Sequence, residues 1–175
     1  MKQPTRRGTK PPAGPRRKAQ DGVRNRVRRG LDVAVSREHG VTGAPTAVVD
    51  WVARMVLRSE GVRRATVSIT LVGAGTIRRL NTRYLGHRRP TDVIAFSLPT
   101  ADGETAGDVY IAPTVAALAA AEHGIPVREE VLRLVVHGVL HLLGDDHPAG
   151  PGRMRSVMWR RQEALLARAM RGGAA

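Results

Sequence analysis

Three histidines fall within eleven residues of this chain, and the stretch that carries the first two constrains the fold most. Residues 131–144 read VLRLVVHGVLHLLG, an apolar segment of strongly helical character. His137 and His141 stand four apart in it, so both imidazoles project from one helical face about one turn apart. Gly144 ends the segment and can adopt positive φ, which lets the chain turn back and bring His147 to the same point. Three neutral imidazoles with one position left open are the ligand set of a catalytic zinc site, whereas a structural site fills all four positions with protein ligands. The set His137, His141 and His147 is therefore expected to hold one zinc ion per chain. Nickel, copper or cobalt would also be accepted by three imidazoles.

The rest of the composition narrows the setting. At 175 residues the chain suits one domain with a proper core, built from Val, Leu, Ala and Ile because aromatic residues make up only 3%. Cysteine is absent, which excludes disulfides, a thiolate nucleophile and Cys-ligated metal, and fits a reducing cytosol. With no membrane-length apolar run and no secretory signal, a soluble, cytoplasmic protein without membrane association is expected. The net charge of +14 is uneven: residues 1–30 hold eleven Lys and Arg against one acid, Asp21. Pro4, Pro11, Pro12 and Pro15 punctuate that stretch and little in it is apolar, so residues 1–22 are expected to form a disordered basic arm suited to RNA or DNA phosphates.

Beyond the arm, periodicity predicts strands over Gly30–Ser36, Ala65–Val72, Asp92–Leu98 and Asp108–Ala112, the last two as an antiparallel hairpin. Helices are predicted over Pro45–Ser59, Thr76–Tyr84, Pro113–His123, Arg128–Leu143 and Gly152–Arg171. The order is β α β α β β α α α, with no internal repeat and no domain boundary besides the arm.

The spacing HxxxHxxGxxH is shared with metzincin proteases, in which the residue after the first His is a Glu that serves as general base. Here that residue is Gly138. Amide hydrolysis needs a group to carry a proton to the leaving nitrogen, so a metalloprotease is the least favoured reading. Phosphodiester cleavage asks chiefly for charge stabilisation at the phosphoryl oxygens, which a divalent ion and arginines can supply.

HGVLHLLGDDH, preceded by LRLVV, resembles the signature of the YbeY endoribonucleases, bacterial metal-dependent proteins of ribosomal RNA maturation and ribosome quality control. LNTRYLGHRRPTDVIAFSLP (Leu80–Pro99) is similar to that family's second motif, with Asn81, Tyr84 and the Pro-Thr-Asp-Val run in the same order, and AGDVYIAP resembles its Gly-Asp strand. The resemblance implies an α+β fold: a single compact domain over residues 23–172, with a mixed sheet of about four strands, about five helices and a metal-binding helix-turn. It implies single-strand-specific cleavage of RNA, with ribosomal RNA or the small ribosomal subunit as partner. Three positions depart from the pattern: Leu85 stands where the family usually has an arginine implicated in activity, Arg88 where an Asp is usual, and Asp145 where an aromatic is common.

Arg83, Arg88 and Arg89 are accordingly expected to contact RNA, with Arg88 the candidate for the missing catalytic charge. Asp146 is expected either to assist the bound water, to orient an imidazole, or to cap its own turn. Leu85 also favours a rival reading, an RNA- or ribosome-binding assembly factor with little or no nuclease activity. Deleting residues 1–22 is expected to leave folding and metal content intact while weakening RNA binding and flattening its salt dependence. Equal affinity of the full and truncated proteins at low and high salt would reduce the arm to a tail.

Overall fold

The structure, a computed structural model, describes residues 30–100, 104–148 and 150–174. The predicted basic arm, residues 1–22, lies outside the described residues. Four strands, β1 (Leu31–Arg37), β2 (Ala65–Leu71), β3 (Val93–Ser97) and β4 (Thr105–Ile111), form one sheet in the order β1-β2-β4-β3. β1 and β2 run parallel, as do β2 and β4, and β3 pairs antiparallel with β4, so the sheet is mixed and the predicted hairpin is present. Five α-helices accompany it: α1 (Thr46–Ser59), α2 (Ala74–Leu85), α3 (Pro113–His123), α4 (Val127–Leu142) and α5 (Val157–Ala169).

Alternation decides the strand faces. In β2, Ala65, Val67, Ile69 and Leu71 are buried with a period of two, and they join Val109 and Ile111 of β4 under α1 and α4. A smaller cluster, Val72, Ile77, Ile94 and Ala112, forms with α2, and Phe96 and Tyr110 pack against it. The edge strand β1 is shielded by α1, whose Arg54 donates to the Leu31 and Val33 carbonyls while held by Asp50.

α4 is the central element, with eleven of its sixteen residues buried. It packs on β3 and β4, and α1, α3 and α5 pack on it in turn. Its approach to the sheet is set by Gly138: a Cβ there would lie 2.5 Å from Val109 Cγ1. A glutamate in this position has no room. Gly107 does the same from the strand side, since a Cβ on it would sit 2.4 Å from the Phe96 carbonyl oxygen and 2.5 Å from Leu142 Cδ2.

That second glycine explains one departure from expectation. β4 begins at Thr105, three residues earlier than predicted, because Gly107 is a packing position inside the strand and pairs with Val67 and Ser97. The other departure is at the C-terminal end, where one helix was predicted over Gly152–Arg171. Gly150–Arg155 is instead a 3-10 turn, and α5 begins after Ser156, whose Oγ accepts the Trp159 N–H at 3.1 Å. Ser156 also donates to the Arg153 carbonyl at 2.7 Å, which fixes the turn against the new helix.

Gly138→Ala is expected to lower the free energy of unfolding by about 1–3 kcal/mol through overpacking against β4. Urea unfolding followed by far-UV circular dichroism measures it, and an unchanged midpoint would contradict the close approach.

Candidate metal centre

The three histidines converge as the spacing predicts. His137 and His141 project from one face of α4, and Gly144, at φ 89°, turns the chain behind them. The helix closes in a Schellman arrangement: Gly144 N–H donates to the His141 carbonyl at 3.0 Å and Asp145 N–H to the Leu140 carbonyl at 3.1 Å. The turn delivers His147, and one ring nitrogen from each of the three lies within 4.8 Å of the others.

Hydrogen bonds then fix which nitrogen each ring presents. His141 Nδ1 is 2.9 Å from the Asp145 carbonyl and His147 Nδ1 is 3.1 Å from the Pro148 carbonyl, and carbonyls only accept, so both Nδ1 atoms donate. His137 Nδ1 is 2.7 Å from Gln162 Oε1. The Gln162 amide cannot be reversed without losing the bond from its Nε2 to Glu163 Oε1 at 2.9 Å, so it too accepts from the ring. A neutral ring that donates from Nδ1 has its lone pair at Nε2.

Two such nitrogens, those of His137 and His141, are only 3.0 Å apart. With both Nδ1 atoms donating, neutral rings have no proton between these nitrogens, and the two lone pairs repel unless a cation joins them. Burial reinforces the neutral form: it pushes the His137 pKa down to about 3, against the raising effect of the Gln162 bond, with His141, Arg153 and His147 adding to the depression. His141 is lowered as well, chiefly by burial, against the opposing bond from the Asp145 carbonyl. Neutral imidazoles with oriented lone pairs are what a divalent ion requires.

Beside His137 opens a cavity of about 460 Å³, lined among others by Asp92, Arg133, Arg153, Trp159 and Gln162. A matching family model, described as Endoribonuclease YbeY, spans residues 36–170. The chain belongs to the YbeY family. An Endoribonuclease YbeY of Pelotomaculum thermopropionicum is 38% identical over 149 residues, covering 79% of this chain and 97% of that one. That of a Parafrankia species is 38% identical over 78% of this chain and 93% of its own. The solution structure of TM1509 from Thermotoga maritima shares the fold, with a TM-score of 0.56 at 24% identity over 81% of this chain and 94% of that one.

Within this YbeY-family fold, the residues expected to serve RNA lie elsewhere. Arg83, Leu85, Arg88 and Arg89 are exposed at the end of α2 and in the loop after it, and none of them lines the cavity beside His137. The loop is held by buried Asn81, whose Nδ2 donates to the Arg89 carbonyl at 2.8 Å, and Arg83 lies 5.6 Å from the Tyr84 ring centroid. Asp146 is exposed, and its Oδ1 accepts the His147 N–H at 2.7 Å, a local cap. Asp145, the departure from the family's aromatic, supplies the carbonyl that orients His141, and its carboxylate binds Arg161 Nη1 at 2.7 Å.

Sequence reasoning missed Gln162, which sits in the stripe Met158, Leu165, Leu166 and Ala169 that α5 buries. A polar residue inside an apolar helical stripe was the available signal. Gln162 is anchored in turn through Glu163, which accepts from Arg133 Nε at 3.0 Å, while Arg133 also binds Glu129 and buried Glu130. Gln162→Leu is expected to weaken divalent-ion affinity by about 10–100-fold, read by competition with a chromogenic chelator. Wild-type affinity in that variant would rule out an orienting role.

Proposed function

We propose that this chain is a cytoplasmic, zinc-dependent endoribonuclease that hydrolyses phosphodiesters of single-stranded RNA in ribosomal RNA maturation and ribosome quality control. The observation that carries the reading is the set of three imidazoles, each with Nδ1 committed to an acceptor and Nε2 left bare within reach of one ion. His137, His141 and His147 would hold the ion. When bound, it supplies Lewis-acid stabilisation of phosphoryl charge and lowers the pKa of water.

The protein's own groups do the remaining work. Gln162 and the Asp145 and Pro148 carbonyls keep the rings in their ligating tautomers. The cavity that His137 lines offers room for a substrate group. Asp146 is the candidate proton acceptor beside the third histidine, and Arg83, Arg88 and Arg89 are candidates to grip the RNA backbone from the exposed loop after α2. Peptide hydrolysis is disfavoured by the same packing that brings α4 to the sheet, since Gly138 leaves no space for the general base a metzincin uses. No helix among the described residues is long and apolar enough to cross a membrane, which is compatible with a cytoplasmic site of action.

Elemental analysis of the purified protein, run beside an RNA cleavage assay with and without chelator, tests the reading. His141→Ala is expected to lose bound metal and cleavage together, and RNA cleavage by a metal-free His141→Ala protein would refute the proposal. Metal-loaded wild-type protein that binds ribosomal RNA without cutting it would instead mark the chain as an assembly factor.

A further inference from the structure

The cavity beside His137 contains two guanidinium groups in opposite circumstances. Arg133 is committed to carboxylates: it binds Glu129 at 3.3 Å and Glu163 at 3.0 Å, and also Glu130. Arg153, on the turn Gly150–Arg155, makes no ion pair among the described residues, and its Nε is shielded from solvent with no hydrogen-bond partner among them. Its guanidinium lies 5.7 Å from the centroid of the Trp159 ring, held against an aromatic face. The backbone beneath it is fixed, because the Arg153 carbonyl accepts both the N–H and the hydroxyl of Ser156.

The anions of the cavity are already engaged. Glu130 and Glu163 are ion-paired with Arg133, and Asp92 Oδ1 accepts the Val93 N–H at 2.9 Å and the Thr91 hydroxyl at 3.1 Å. Arg153 therefore stands in the same cavity as His137 as a guanidinium with no ion pair among the described residues. An ion held by His137, His141 and His147 and the Arg153 guanidinium would both attract an anion bound in the cavity. A guanidinium with unpaired N–H groups matches the oxygens of a phosphodiester bidentately.

We propose that Arg153 binds the reacting phosphodiester of single-stranded RNA next to the three histidines, with Trp159 holding its guanidinium in the cavity. This rests on the endoribonuclease reading above. Arg153 is then the cation at the reacting group, and Arg83, Arg88 and Arg89 are exposed and do not line the cavity.

The test uses the full chain and its Arg153→Gln and Arg153→Lys variants. Cleavage of a single-stranded RNA by the metal-loaded protein is expected to fall about 100–1,000-fold in Arg153→Gln, with partial recovery in Arg153→Lys. Binding of a fluorescent 2′-O-methyl oligonucleotide, followed without added metal, is expected to lose about 0.7 from its salt slope, the share of one phosphate contact on a single strand. Metal affinity is expected to stay the same or tighten. Cleavage and salt slope both at wild-type values in Arg153→Gln would overturn the proposal, as would metal affinity weakened tenfold, which would make Arg153 a structural support. Should the wild-type protein cleave no RNA with any divalent ion, the endoribonuclease reading fails by itself. The salt slope then decides whether Arg153 binds phosphate.

Discussion

The contact between α4 and β4 at Gly138 and Val109 is the constraint on which the site depends. Because a Cβ at Gly138 would fall 2.5 Å from Val109 Cγ1, the helix lies as close to the sheet as backbone and branched side chain allow. That approach buries His137 and leaves His141, one turn on, half-buried. It also determines what chemistry the helix can host. The position that a metal-dependent protease gives to its base is consumed by packing, so no side chain at residue 138 can serve as that base.

Burial alone would make the histidines poor ligands if their rings could rotate or change tautomer. Three different structures prevent it: a side chain from α5, and two carbonyls from the turn that follows α4. The α5 arm of this arrangement carries a desolvation cost, since Glu130 is buried and needs a cationic partner. Arg133 meets that need and at the same time fixes Glu163, which fixes Gln162, which fixes His137. Removing one partner of a buried pair of this kind typically costs about 3–5 kcal/mol. Stability and ligand orientation are thus carried by the same hydrogen-bonded chain.

The histidine cluster was legible in the sequence because its information is local. Four-residue spacing on an apolar helix and a glycine able to take positive φ suffice to bring three rings together. Element order and the β3–β4 hairpin were legible for the same reason, since periodicity and turn residues act over short spans. The predicted strand begins one residue after Gly107, because the reason for glycine there lies in Phe96 and Leu142, which are distant in the chain. Gln162 and Arg153 were hidden inside a segment that reads as one arginine-rich helix. Only the break at Ser156 separates the turn that turns Arg153 into the cavity from the helix that buries Gln162.

Asp145 shows how the turn after α4 is made part of the domain. Its carbonyl accepts from His141 Nδ1, while its carboxylate takes Arg161 of α5, and Arg161 also binds Glu60 just past the end of α1. The peptide that orients His141 is therefore clamped by a residue whose other partner lies at the end of a different helix. An aromatic at this position could contribute packing but no such ion pair. Arg161 is itself well exposed, so its bonds to Asp145 and Glu60 are screened by solvent and add little to global stability. Their consequence is local: they restrict the turn that delivers His147, and so reduce the ordering needed when three imidazoles close on one ion.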